Sequence, residues 1–229
     1  MKLFLLPGLI CDGGIFASQS AAFPQARALD GYDGADSLGA MAAAVLRHAD
    51  SEGTAEFDLL GHSMGGRVVL EVFRMAPDRV RRLALVSTGV HPVGAGEQAK
   101  RHALRDLGRT HGFAALVDEW LPPMLAPANH ADLYKPLRAM CLAQGQARFE
   151  ADTAALLGRQ EAASLLPRIT CPVLVMTGAL DGWASPAQHQ AIADALPDAT
   201  CVIVPDAGHM LPAEAPRAVN DAIAAWLAR

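Results

Sequence analysis

The chain has only four cysteines in 229 residues, at positions 11, 141, 171 and 201, and none stands in a C-x-x-C spacing. That scatter excludes a disulfide-stapled scaffold and offers no zinc or dithiol motif; the expectation is free, buried thiols in a reducing cytoplasm. Aromatic residues are also scarce, so the apolar content rests largely on alanine and branched aliphatics. No apolar run approaches the roughly 18 residues that a membrane-spanning helix requires. Lys and Arg never cluster beyond a pair such as Arg81-Arg82, and the net charge is −5. Nucleic acid and anionic membrane surfaces are therefore not expected as partners. The start, Met1-Lys2 followed by Leu3 to Cys11, has the look of a short leader, but Pro7-Gly8 breaks the apolar run and the segment reads as a strand of the fold.

What the sequence does have is alternation. Compact apolar runs closed by Gly or Pro occur at Leu3–Leu6, Phe57–Leu60, Arg82–Ser87, Val173–Thr177 and Cys201–Val204, with a weaker one at Ala26–Leu29. Helical patterns separate them at Ser37–His48, Met64–Ala76, Ala187–Leu196 and Ala215–Leu227, two of these stopped by Pro77 and Pro197. Strands alternating with helices predict an α/β fold, a mostly parallel, doubly wound sheet of about six strands. From Gly89 to Thr170 the alternation lapses into four helical stretches, Glu97–Arg109, Phe113–Trp120, Ala131–Gly145 and Gln146–Leu157. The expected organisation is a core of residues 1–88 and 171–229, with residues 89–170 inserted as a helical lid. At about 150 residues per domain, the length suits one domain carrying such an insertion.

Chemistry concentrates at Gly61-His62-Ser63-Met64-Gly65, a G-x-S-x-G turn between an apolar strand and a helix. In that context the turn is a nucleophile elbow, which exposes the serine hydroxyl and aims the following N–H at a developing oxyanion. Serine is a weak nucleophile unless a base activates it and a further group orients that base. His209 and Asp181 each follow a predicted strand, so three loops bring Ser63, Asp181 and His209 to the carboxyl edge of one sheet. The loop Pro7-Gly8-Leu9-Ile10 after the first strand is placed to supply a second oxyanion donor, the N–H of Leu9, beside that of Met64. Ile10, Trp120, Leu121, Met124, Trp183 and Met210 are candidates for an apolar substrate pocket. His62 is expected to pack, and His91 to open the helical insertion. His48, His102, His111, His130 and His189 are expected at the solvated surface. Asp206 lies too near His209 in sequence to buttress its ring, and Glu214 reads as part of the last helix start.

Together, Leu60-Gly61-His62-Ser63-Met64-Gly65-Gly66, Gly178-Ala179-Leu180-Asp181 with Pro186, and Ala207-Gly208-His209 with Glu214-Ala215-Pro216 resemble the α/β-hydrolase superfamily over essentially the whole chain. The resemblance is to its small lidded members, among them carboxylesterases, enol-lactonases and C–C bond hydrolases. It implies Ser63 as nucleophile, His209 as general base then acid, Asp181 as orienting carboxylate, Leu9 and Met64 as oxyanion donors, and neither cofactor nor metal. Two features depart from the family pattern: Pro7-Gly8 stands where many relatives have His-Gly, and the usual N-terminal hairpin is missing before Leu3. The expected activity is hydrolysis of a small-molecule carboxylic ester through an acyl-enzyme. C–C bond or lactone cleavage uses the same residues, and would call for an inward-facing base such as Arg101, Arg105 or Arg138. A slow-turnover ligand receptor is a further alternative, and the sequence leaves the oligomeric state open.

Overall fold

A computed structural model describes residues 1–229. Six strands, β1 (Leu3–Leu6), β2 (Ala26–Ala28), β3 (Phe57–His62), β4 (Val80–Val86), β5 (Val173–Gly178) and β6 (Ala199–Val204), form one sheet in the order β2-β1-β3-β4-β5-β6. Every adjacent pair is parallel. Each residue of β1, β3 and β5 is buried, which is why these strands read as apolar runs rather than as alternating ones, with Asp58 the charged exception in β3. The edge strand β6 is only partly covered.

The helices are α1 (Ala17–Ala22), α2 (Leu38–Ser51), α3 (Met64–Met75), α4 (Glu97–His111), α5 (Phe113–Trp120), α6 (His130–Leu157), α7 (Pro186–Asp194), α8 (Leu211–Glu214) and α9 (Pro216–Leu227). Local chemistry sets several of their starts. Ser37 caps α2 by accepting the N–H of Ala40, and Ser185 with Gln188 forms a capping box on α7, with Pro186 in the first turn. The expected break between the two last inserted helices falls inside α6, where Gly145 has φ 78° and ψ 167° and bends one 28-residue run. The helix α1 was not expected: its residues, Ala-Ser-Gln-Ser-Ala-Ala, carry no apolar period.

No strand lies between β4 and β5. The helices α4, α5 and α6 occupy that interval, and their residues Leu116, Val117, Leu121 and Phe149 join the same apolar core as the sheet. The chain runs from β1 outward to β2 and then returns to β3 on the other side of β1. The loops leaving the carboxyl ends of β1 and β3 consequently diverge, and such a switch point is where open parallel sheets bind ligands.

Candidate active site

At this switch point β3 turns sharply into α3 through Ser63, which has φ 55° and ψ −117°. For a residue with a side chain this is a strained conformation, costing on the order of 1–3 kcal/mol, so the surroundings must impose it. They do so with hydrogen bonds and close approach. The Ser63 N–H donates to the Val86 carbonyl at 2.8 Å, and the Ser63 carbonyl accepts from Thr88 Oγ1 at 2.6 Å. A Cβ on Gly61 would stand 2.3 Å from the Gly65 carbonyl oxygen, and one on Gly65 would stand 2.1 Å from that of Leu6. Both glycines of the motif are therefore demanded by the packing of α3 onto β1 and β3.

His209 Nε2 lies 2.9 Å from Ser63 Oγ, and its Nδ1 lies 3.0 Å from Asp181 Oδ2 and 3.1 Å from Oδ1. Asp181 also accepts the N–H groups of Trp183 and Ala184 at 2.9 and 2.8 Å and the hydroxyl of Thr177 at 3.1 Å. Burial pushes its carboxyl pKa up, but His209 and the two N–H donors outweigh burial and hold it well below the usual carboxylate range. An ionised carboxylate on Nδ1 fixes the tautomer in which Nε2 faces the serine as an acceptor. The loop after β1 passes beside the serine, where a Cβ on Gly8 would come 3.0 Å from Ser63 Cβ. The N–H groups of Leu9 and Met64 find no acceptor within the protein, and both residues line a cavity together with Ser63 and His209.

Four supporting groups lay beyond the sequence reading. His62 does pack against Phe16, but its Nε2–H also donates to the His209 carbonyl at 2.8 Å. Burial, and secondarily His209, push the His62 pKa down to about 3, so its ring is neutral. His189 was expected at the surface and is instead wholly buried. Its Nδ1 lies 3.1 Å from the Ser185 carbonyl and its Nε2 accepts the Thr88 N–H at 3.1 Å, which props the residue that holds the Ser63 carbonyl. Glu214 ends α8 rather than opening the last helix, and its carboxylate collects the N–H groups of Ala126, Gly208 and Met210 at 2.8 to 3.0 Å, tying the His209 loop to the segment after α5. Asp152 of α6 is buried and accepts the Ile10 N–H. Each depends on a fold partner far away in sequence. Asp206, by contrast, is exposed.

The cavity measures about 290 Å³, the scale of a small ligand. Of the expected pocket residues, Trp120, Met124 and Trp183 line it, whereas Ile10, Leu121 and Met210 do not. The backbone of Ile10 is turned to φ 45° and its side chain joins the core; Leu121, at the end of α5, is also fully buried. Met210 is likewise buried in the core, with its N–H held by Glu214. The wall is more polar than the sequence suggested: it includes His91, Arg67, Lys100, Arg101 and Arg159, and Glu97 pairs with Arg101 and Arg159. Arg105 and Arg138 are elsewhere, paired with Asp106 and Asp118.

Residues 5–222 match the alpha/beta hydrolase family, and the chain belongs to it. A curated relative is the dihydrolipoyllysine-residue acetyltransferase component of the acetoin cleaving system of Pseudomonas putida, 32% identical over 204 residues. That match covers 84% of this chain but only 50% of the relative, so the chain spans about half the length of that protein. The 3-oxoadipate enol-lactonase 2 of Acinetobacter baylyi is 26% identical over 85% of this chain and 71% of its own. Among solved structures, the malate-bound thermophilic esterase from Thermogutta terrifontis superposes with a TM-score of 0.93 at 26% identity, covering 100% of this chain and 89% of that one.

Proposed function

We propose that this alpha/beta hydrolase cleaves a small carboxylic ester through an acyl-enzyme. The observation that carries the reading is the unbroken relay from Ser63 Oγ through His209 to Asp181, set beside two N–H groups with no internal acceptor. His209 Nε2 takes the serine proton as Oγ attacks the ester carbonyl, and the Leu9 and Met64 N–H groups receive the oxyanion. The imidazolium then protonates the departing alkoxide. A water activated by the same nitrogen attacks the acyl-serine, releasing the acid and restoring Ser63. Residues 89–170 act as the lid over this chemistry, and the unpaired cysteines suit a cytoplasmic setting.

Lactone opening is a second reading, favoured by the basic side chains on the cavity wall and by the enol-lactonase relative. It uses the same steps, except that the leaving alkoxide stays attached to the acyl group. The test is labelling by a fluorophosphonate probe together with turnover of short p-nitrophenyl esters. The wild type is expected to be labelled at Ser63 and to turn over, and Ser63→Ala to do neither. Full activity in Ser63→Ala would overturn the proposal.

A further inference from the structure

Arg67 lies one helical turn after the elbow serine, a rise of about 6 Å along α3. It is buried to 9% exposure, lines the same cavity as Ser63, and makes no ion pair with any carboxylate. Its partners are neutral: Nη1 donates to the His91 carbonyl at 3.0 Å, and Nη2 lies 3.3 Å from His91 Nε2. His91 Nδ1 lies 2.9 Å from the Pro92 carbonyl, which leaves Nε2 as the acceptor toward Arg67.

The neighbouring arginines differ. Arg159 is paired with Glu97 and also donates to the carbonyls of His91, Pro92 and Leu156. Arg101 shares the same Glu97. One carboxylate thus answers Arg101 and Arg159, and none is left for Arg67 or Lys100. Burying a guanidinium without a counter-charge is costly, and such sites are ordinarily completed by an anion. Burial, with Arg159 and Arg101 adding to it, pushes the Arg67 pKa down to about 9, and the more distant Glu97 carboxylate, already paired with Arg159 and Arg101, offsets this only in part. The backbone opposite is bare: a Cβ on Gly89 would stand 3.1 Å from Arg67 Nη2, in the space beside the guanidinium. Leu104, Trp120, Met124, Phe149 and Leu156 supply the apolar part of the wall.

We infer that Arg67 is the binding site for a carboxylate carried by the substrate, with Lys100 and Arg101 adding positive potential. The substrate class is a half-ester or lactone of a short dicarboxylic acid. Its reacting carbonyl sits at Ser63 and its free carboxylate at Arg67, with a short aliphatic spacer joining the two across the shared cavity. Planar, two-pronged pairing with carboxylate is what distinguishes arginine from lysine for this task. The inference rests on the hydrolase reading for the role of Ser63, but not for the binding of the carboxylate.

The test compares the p-nitrophenyl hemiester of glutaric acid with p-nitrophenyl pentanoate, which matches it in length but is neutral. In parallel, glutarate binding is measured by calorimetry. The wild type is expected to favour the anionic ester at least tenfold in KM. Arg67→Met is expected to lower that preference about tenfold or more, Arg67→Lys to restore part of it, and the surface control Arg138→Gln to leave it unchanged. Equal use of the two esters by the wild type, or an unchanged preference in Arg67→Met, overturns the inference. If neither ester turns over, the hydrolase reading fails and calorimetry decides: glutarate binding by the wild type that Arg67→Met abolishes supports the site, and no binding overturns it. Should Arg67→Met fail to fold, Arg67→Lys carries the comparison, and an unaltered preference there overturns the inference.

Discussion

Asp152 Oδ2 accepts the backbone N–H of Ile10 at 3.0 Å, so a carboxylate from α6 holds the loop that presents Leu9. Ile10 has φ 45°, an uncommon conformation for a β-branched residue, and its neighbours close a tight turn through the Cys11 N–H to the Gly8 carbonyl. Tyr32 adds a hydroxyl donated to the Pro7 carbonyl at 2.7 Å. Both partners hold the loop from outside it. Asp152→Ala is therefore expected to lower kcat on a nitrophenyl ester by about tenfold or more with a smaller change in KM. The ceiling is the 10²–10³ lost with an oxyanion donor itself. Asp152→Asn, which keeps an acceptor, is expected to lose less. Steady-state kinetics of the two variants checks this; a rise in KM alone would place Asp152 in binding rather than positioning.

Glu214 is the other cross-link between the helical insertion and the site. Removing its carboxylate in Glu214→Ala releases three backbone N–H groups and the Asn129 amide at once. Hydrogen bonds to a charged acceptor are the stronger kind, so a loss of about 3 kcal/mol in urea unfolding is expected, with a smaller loss in Glu214→Gln. A change under about 0.5 kcal/mol, the level of ordinary surface substitutions, would show that the cross-link is dispensable.

Stability is expected to fall in acid through the buried histidines. Stability rises with pH wherever the unfolded chain binds more protons than the folded one. His62 titrates near 6.5 when unfolded and near 3 when folded, and burial lowers His189 in the same direction. Their contribution is complete above pH 6.5 and is lost as pH drops from there toward 3. The depressed Asp181 carboxyl adds a loss at still lower pH. Melting temperatures across pH 4 to 8 should show His62→Gln, which retains an N–H donor for the His209 carbonyl, with a shallower acid slope than the wild type. Parallel curves would remove His62 from the explanation.

The two glycines Gly65 and Gly39 should respond oppositely to alanine. At Gly65 the new Cβ would meet the Leu6 carbonyl oxygen at 2.1 Å, whereas at Gly39 in α2 it meets nothing within 4 Å. Gly65→Ala is expected to yield no cooperatively folded protein, and Gly39→Ala to raise stability by up to about 1 kcal/mol through helix propensity. Circular dichroism melts of both variants check this.

The sheet was legible in the sequence because parallel strands buried on both faces leave continuous apolar runs, and the glycines and prolines that end them mark their limits. All six strands lie where such runs occur, within a few residues at the ends. The elbow was legible because its glycines are demanded by backbone contacts within a short stretch of chain. Other features were not local. His189 resembles any polar histidine on a helix until its partner Thr88, 101 residues away, is known. Arg67 sits in a helix that reads as simply amphipathic, and only the cavity shows that its charge faces inward. Ile10, Leu121 and Met210 were misjudged because apolar character marks burial without saying which buried groups border a cavity.

The register joining β4 to β5 pairs Leu83 with Val173 across the helical interval, and this gives the fold an order of assembly. The entropy of closing so long a loop grows only logarithmically, about 0.6 kcal/mol per doubling, so the interval can lengthen or shorten with little thermodynamic consequence. Its kinetic consequence is larger. During synthesis β1 to β4 emerge first, and β4 waits with an unpaired apolar edge until β5 follows. The helices α4 to α6 are the stretch of chain made in that window, before β5 can close the edge.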